Sequence, residues 1–148
     1  MDTAENYEQL KLENQICFPL YAASRLVTRL YQPLLDALNL TYPQYLVLLV
    51  LWEHDGLSVN QIGEKLHLHS NTLTPLLKRL EQQGLLQRRR STSDERQVQL
   101  FLTPQGTSLK AKAAAIPAQL AATAALPLDK ALALKAMLDE LLKQHQPT

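Results

Sequence analysis

The chain has 148 residues, 46% of them hydrophobic and only 5% aromatic, so one domain with a core of leucine and alanine is expected. Its net charge is +1 and it carries one cysteine, which excludes an intrachain disulfide and fits a reducing compartment. The first residues are acidic and polar, unlike a signal sequence, and the longest apolar run, Tyr45 to Trp52, is too short to span a bilayer, so a cytoplasmic location with no membrane partner is expected.

Residues 1–11 read as frayed. From about Leu12 to Leu30, a stripe of Leu12, Ile16, Leu20, Ala23, Leu26, Val27 and Leu30 predicts a helix. Pro19 lacks a backbone donor and is cheapest in a first turn, which moves the start to near Ile16 and puts Cys17 in that turn. Pro33 marks a break, with Leu34, Leu35 and Leu38 in a short further turn. Thr41, Pro43 and Gln44 form a capping box, and the helix it opens, Tyr45 to about Glu53, is almost wholly apolar and central to the core. Asp55-Gly56 closes it.

The stretch from Ser58 to Gly106 sets the architecture. A helix over about Ser58 to Leu66, capped by Ser58, is followed by the turn His67-Leu68-His69. Ser70 or Asn71 caps a second helix that ends near Gln83, with Gly84 as its stop. Leu73, Leu76, Leu77 and Leu80 give it one apolar side, and Thr72, Thr74, Pro75, Lys78, Arg79 and Gln82 face away. This is a helix-turn-helix whose polar second helix has the shape that enters a major groove. Two strands follow, Leu85 to Arg88 and Gln97 to Leu102, joined by the polar tip from Arg89 to Arg96. A strand pair in this place is a wing that reaches a neighbouring minor groove. From Lys78 to Arg96 there are six Lys or Arg against three Asp or Glu, so positive charge concentrates where phosphates would lie.

Thr103 caps a further helix with Pro104 at its first position, running over Leu109, Ala113 and Ile116 to Pro117, where a break and a kink are both open. A last helix spans about Leu128 to Leu142. The fold class is therefore mainly α with a small β-wing: a winged helix-turn-helix over about residues 41–103, within a single domain. Helices over about 12–40 and 104–145 are apolar on more than one side and would dimerise. A two-fold dimer places two recognition helices roughly 34 Å apart and reads a near-palindromic duplex.

The segments LENQICFPLYAASRLVTRLYQPLLDALNLTYPQYLVLLVLWEH and LTPLLKRLEQQGLLQRRRSTSDERQVQLFLTPQG resemble the organic hydroperoxide resistance regulators, the OhrR branch of the MarR winged-helix repressors. The likeness covers about residues 12–115. It rests on the Asp94-Glu95-Arg96 wing segment, on LENQ-x-CF-x-LY and on LTYPQY. The resemblance implies a DNA-binding repressor, not an enzyme, that senses organic hydroperoxides through Cys17 and releases its operator, with no cofactor. It implies that Tyr31 and Tyr42 of the partner subunit hydrogen-bond the Cys17 thiolate. It also implies that Arg96 reaches the minor groove, that Asp94 fixes the wing through a salt bridge, and that Ser70, Asn71, Thr72, Thr74 and Lys78 face the major groove. Arg79, Arg88 and Arg90 join this set as basic groups beside the phosphates.

The chemistry is sound on its own terms. A thiolate is the nucleophile toward a peroxide oxygen, a helix N-terminus favours it, and phenol donors stabilise it without adding charge. Oxidation gives a sulfenic acid. Some members of the branch carry a second cysteine at a position close to Ala122. This chain has none, so a small cellular thiol is expected to form an adduct with Cys17. Tyr7, Tyr21 and Tyr45 carry no sensing assignment, and core packing is expected of the last two. The segment His69-Ser70-Asn71-Thr72 departs from the Asp-Ser-Gly-Thr common in the branch, so base preference does not transfer. His67 and His69, two apart with no carboxylate cluster, and His54 do not read as metal ligands. Two other readings compete: a MarR-type repressor released by a small aromatic ligand, and a one-cysteine thiol peroxidase. A Cys17→Ser variant separates the first, and peroxide turnover beyond one equivalent per chain identifies the second.

Overall fold

The computed structural model describes residues 6–146. Two compact units make up the chain, Met1–Ala114 and Ala115–Thr148.

The first unit opens with two single-turn 3-10 helices, Glu8–Leu10 and Leu12–Asn14. The side-chain amides of Asn14 and Gln15 donate to the carbonyls of Glu8 and Gln9, at 2.7 and 2.9 Å. Residues 8–11 are thus ordered rather than frayed, and the helical stripe that begins at Leu12 starts too early. Helix α1 runs Cys17–Asp36, with Cys17 its first residue. It continues through Pro33, where a break was expected. Proline is costly in a helix interior because it removes a donor and crowds the carbonyl four residues back. Here it falls in the last turn, and Leu35, fully buried, anchors that turn.

The end of α1 is set by backbone geometry. Leu40 N–H donates to the Leu35 carbonyl at 3.1 Å and Asn39 N–H to Asp36 at 3.0 Å, with Asn39 left-handed at φ 56°. The same six-to-one bond closes the two helices of the helix-turn-helix, with left-handed His67 and Gly84. Of these three stops Gly84 and Asn39 are residue types that favour the left-handed turn, and His67 is not.

Helix α2, Tyr42–Glu53, begins three residues before the expected Tyr45 because the Thr41–Gln44 capping box forms in full, with bonds of 3.3 and 2.9 Å. It buries Tyr45, Val47, Leu48 and Leu51 at the centre of the core. Around it pack Ile62 of α3 (Val59–Leu66), Leu73, Leu77 and Leu80 of α4 (Ser70–Gln82), and Leu86 and Leu100 of the wing. Each such leucine, fully buried, is worth about 1.5–3 kcal/mol, enough together to hold α4 rigidly on the body.

Ser58 caps α3 through a second capping box, with Gln61 as its reciprocal partner at 3.1 and 2.9 Å. The turn into α4 is tight: a Cβ at Gly63 would lie 2.7 Å from the Leu68 carbonyl oxygen. Ser70 and Asn71 do not cap α4. The N-cap is His69, whose carbonyl accepts from both Thr72 and Leu73 at 3.0 Å, so the helix has begun by Ser70. The side chains of Ser70 and Asn71 are left exposed.

Strands β1 (Leu86–Arg90) and β2 (Val98–Leu102) pair antiparallel, Leu86 opposite Leu102 and Arg90 opposite Val98. The ladder runs further along β1 than Arg88, because Arg89 and Arg90 find partners in Gln99 and Val98. The tip therefore shortens to residues 91–97. The α2–α3 connection lies along β2, with Gly56 N–H donating to Leu100 and Leu100 N–H to Leu57, at 3.0 and 2.8 Å. Asp55 Oδ1 accepts from Leu102 N–H at 2.8 Å. Thr103 caps α5, Pro104–Ala113, as its sequence predicts.

The second unit holds α6 (Ile116–Ala124) and α7 (Leu128–Gln144). The question at Pro117 is resolved as a break: α5 stops at Ala113, and Pro117 sits in the first turn of a new helix, where its missing donor costs nothing. No helix among the described residues is long and apolar enough to cross a membrane.

Candidate nucleic-acid interface and cysteine site

On α4 the buried leucines force the opposite side outward. Ser70, Asn71, Thr72, Lys78 and Arg79 are exposed and Thr74 is partly so. Thr74 turns its hydroxyl back to the Ser70 carbonyl at 2.8 Å, and Pro75 cannot donate to the Asn71 carbonyl. With no side-chain cap at His69, the first turn presents backbone N–H groups to whatever anion approaches.

The wing is held by its own backbone. Ser91, buried at its base, donates N–H to the Gln97 carbonyl at 2.9 Å, and its hydroxyl accepts from the N–H groups of Ser93 and Asp94. Asp94 was expected to fix the wing through a salt bridge. It forms no ion pair among the described residues. Its Oδ1 accepts from the Arg96 backbone N–H at 3.0 Å, and its carbonyl from Gln97 N–H. A carboxylate two residues before a free N–H closes a local turn with no help from a distant cation. Arg96 is thereby placed at the exposed end of the hairpin.

The strand alternation divides the arginines. Arg88 and Arg90 lie on the face of buried Leu86 and Leu100, and Arg89 on the other. Arg88 is held against α4: its Nε is 3.4 Å from Glu81 Oε2 and its backbone N–H donates to the same oxygen at 3.1 Å. Arg89 stacks its guanidinium 4.8 Å from the Phe101 ring centroid. The sequence reading missed Glu81, because its partner Arg88 lies seven residues on in a different element and the pairing depends on how β1 leaves α4.

Cys17 is exposed on the first residue of α1, where the helix has no side-chain cap. Tyr31 and Tyr42 are brought together, ring centroids 4.6 Å apart and tilted by 33°. Tyr45 lies 5.7 Å from Tyr31 and 6.3 Å from Tyr42, and Trp52 meets Tyr45 edge-on at 6.5 Å. Burial, with Tyr42 and Tyr45 beside it, pushes the Tyr31 phenol up to about 12, and burial raises those of Tyr42 and Tyr45 as well. All three remain neutral O–H donors across the physiological range. Tyr45 packs in the core as expected, at 2% exposure. Tyr21 does not: it is 60% exposed and pairs with Arg25, whose Nη1 is 3.4 Å from the phenol oxygen.

One chain does not join the cysteine to the phenols. Tyr31 follows Cys17 by fourteen residues on one helix, about 21 Å of rise. Exposed apolar side chains line the same helix, Phe18, Leu20, Leu26 and Val27 among them. In the second unit α7 exposes Leu128, Leu132, Leu134 and Met137. Among the described residues no cluster of three or more His, Cys, Asp or Glu could hold a metal ion.

Comparison with known proteins gives concordant results. Residues 29–113 match the family described as Transcriptional regulator SarA/Rot. The chain is 60% identical over 111 residues to the organic hydroperoxide resistance transcriptional regulator of Bacillus subtilis, covering 75% of this chain and 76% of that protein. It is 51% identical over 130 residues to the HTH-type transcriptional regulator TtmR of Methylorubrum extorquens, covering 88% of this chain but 65% of the longer protein. Among solved structures, reduced AbfR bound to DNA, a protein of Staphylococcus epidermidis, superposes with a TM-score of 0.76 at 42% identity, covering 93% of this chain and 96% of that one.

Proposed function

The chain belongs to the MarR-type winged-helix transcriptional regulators, in their organic hydroperoxide resistance branch, and from that premise we propose that it is a cytoplasmic DNA-binding repressor that senses organic hydroperoxides through Cys17. The observation that carries this reading is the 60% identity to the Bacillus subtilis regulator over three quarters of both chains.

The geometry supports it in three ways. The exposed polar side of α4 and the arginine-bearing wing suit a major groove and the minor groove beside it. The exposed apolar side chains of α1 and α7 suit a second copy of the chain. Cys17 and Tyr31 lie too far apart along α1 to meet within one chain, so a meeting of the cysteine with Tyr31 and Tyr42 requires a second subunit, as an antiparallel pair of α1 helices would supply.

In the sensing step the Cys17 thiolate attacks the distal oxygen of ROOH. The S–O bond forms as the O–O bond breaks, leaving a sulfenic acid and an alkoxide that takes a proton from water to become ROH. Tyr31 and Tyr42, as neutral donors, stabilise the thiolate beforehand. A small cellular thiol then displaces hydroxide from the sulfenic sulfur, giving a mixed disulfide and water. The chain consumes one peroxide per cysteine and is not an enzyme.

The test is binding to duplex DNA from upstream of the chain's own gene, followed by fluorescence anisotropy before and after organic hydroperoxide in the presence of a small thiol. Wild type binds when reduced and releases on oxidation, and Cys17→Ser binds but does not release. Release of Cys17→Ser at the wild-type peroxide dose would reject the sensor, and a response to a small aromatic ligand in its place would identify a different signal.

A further inference from the structure

We propose that Tyr45 is a positioning residue for peroxide sensing: its buried ring fixes the attitude of Tyr31 and Tyr42, and Trp52 ties that ring to the backbone of α5. This rests on the sensing function proposed above. Tyr31 and Tyr42 come from different helices and are only partly buried. Left to themselves, two such side chains exchange rotamers on the picosecond-to-nanosecond scale and would present their O–H groups in many directions. Tyr45 stops this because it contacts both rings, with centroid separations of 5.7 and 6.3 Å. Both fall within the ~4.5–7 Å of aromatic pairs. Its place three residues after Tyr42 puts it on the same face of α2.

Tyr45 is itself braced. Trp52 packs edge-on against it at 70°, and the indole Nε1–H donates to the Gly106 carbonyl at 2.9 Å. Gly106 has no freedom to follow. Its N–H donates to Thr103 Oγ1 at 3.0 Å, and a Cβ there would lie 2.2 Å from the Leu85 carbonyl oxygen. The Thr103 hydroxyl in turn donates to the Gly84 carbonyl, where α4 ends. The row Tyr31–Tyr42–Tyr45–Trp52 thus runs from the phenols to the joint between α4, β1 and α5.

A ring that only fills space lowers melting temperature when removed and leaves the sulfur chemistry alone. A positioning ring changes the reactivity of Cys17 across the subunit boundary. The full chain is compared as wild type, Tyr45→Phe, Tyr45→Leu, Trp52→Phe and Cys17→Ser. The readouts are affinity of the reduced protein for duplex DNA, rate of Cys17 alkylation by iodoacetamide near neutral pH, and rate of release by cumene hydroperoxide with a small thiol present. Tyr45→Leu should slow alkylation and release about tenfold, with reduced-state DNA affinity within about twofold of wild type. Tyr45→Phe, which keeps the ring, should restore both rates. Trp52→Phe, which keeps packing but removes the N–H, should slow both about threefold. Wild-type rates in Tyr45→Leu and Trp52→Phe overturn the proposal, as does a Phe variant as slow as the Leu variant. If Tyr45→Leu does not fold, Trp52→Phe decides alone. Release of Cys17→Ser by peroxide is a separate failure: it removes the sensing function itself, and this proposal with it.

Discussion

Arg88 and Glu81 join the wing to the recognition helix: one carboxylate oxygen of Glu81 receives both the Arg88 backbone N–H, at 3.1 Å, and its guanidinium, at 3.4 Å. Both side chains are a third or more exposed, 34% and 42%, so the ion pair itself contributes at most about 1 kcal/mol to stability. Its value lies in geometry, since it sets the angle at which β1 leaves α4. Glu81→Ala is expected to leave the melting temperature nearly unchanged and to weaken DNA binding several-fold. Equal affinity in wild type and Glu81→Ala would show that the wing finds its place without this contact.

Binding should depend steeply on salt. With several Lys and Arg beside the duplex, affinity is expected to fall by orders of magnitude from low to moderate salt, and Arg96→Ala should cost roughly 1–3 kcal/mol. Anisotropy titrations at several salt concentrations check this. Salt-independent binding, or full affinity in Arg96→Ala, would reject the placement of the wing tip.

Removing a phenol O–H from the tyrosine pair should blunt sensing without touching DNA affinity. Tyr31→Phe and Tyr42→Phe keep the rings and lose the donor, so each is expected to bind duplex normally when reduced. Both should react more slowly with a thiolate-selective reagent and release more slowly on peroxide. Unchanged reaction rates in both variants would count against the pair as thiolate donors.

Oxidation should need a second thiol to become release. Cys17 has no resolving cysteine in its own chain. Peroxide alone is therefore expected to release DNA poorly, and peroxide with a small thiol to release it well, with the adduct visible on a single chain by intact mass. A hundredfold loss of affinity corresponds to about 2.7 kcal/mol of coupling, within reach of a few lost hydrogen bonds and a steric clash. A covalent dimer on a non-reducing gel, absent in Cys17→Ser, would mean instead that two Cys17 residues pair directly.

Strong alkali should destabilise the fold through the tyrosine cluster. The Tyr31 phenol titrates at about 12 in the folded chain and near its ordinary 10 when unfolded, so between these values the folded state holds more protons. Stability is then unaffected below about pH 10 and falls as pH rises toward 12. Tyr31→Phe should flatten that part of a denaturation-midpoint curve relative to wild type. Parallel curves for the two proteins would show that Tyr31 ionises as freely folded as unfolded.

Much of this chain could be read from residues within four positions of one another. The capping residues Thr41, Ser58 and Thr103 and the buried leucines Leu73, Leu77 and Leu80 of α4 all express bonds or periodicities of that range, and each appears where its residues place it. So does Cys17 at the start of α1, because Pro19 costs least in the first turn of a helix. What the sequence alone could not decide depended on distant partners. Pro33 stays helical because Leu35 beyond it is buried, and His69 displaces Ser70 as the cap because the turn after Gly63 is closed by Leu68. Asp94 turns to the backbone rather than to a cation because the hairpin tip tightens once Arg89 and Arg90 join the ladder. The tyrosine row is of the same kind: Trp52 meets Gly106 across 54 residues, and a spacing of that length has no periodic signature in a sequence. Local hydrogen bonding fixes where elements begin and repeat, and burial of one element against another decides which side chains meet.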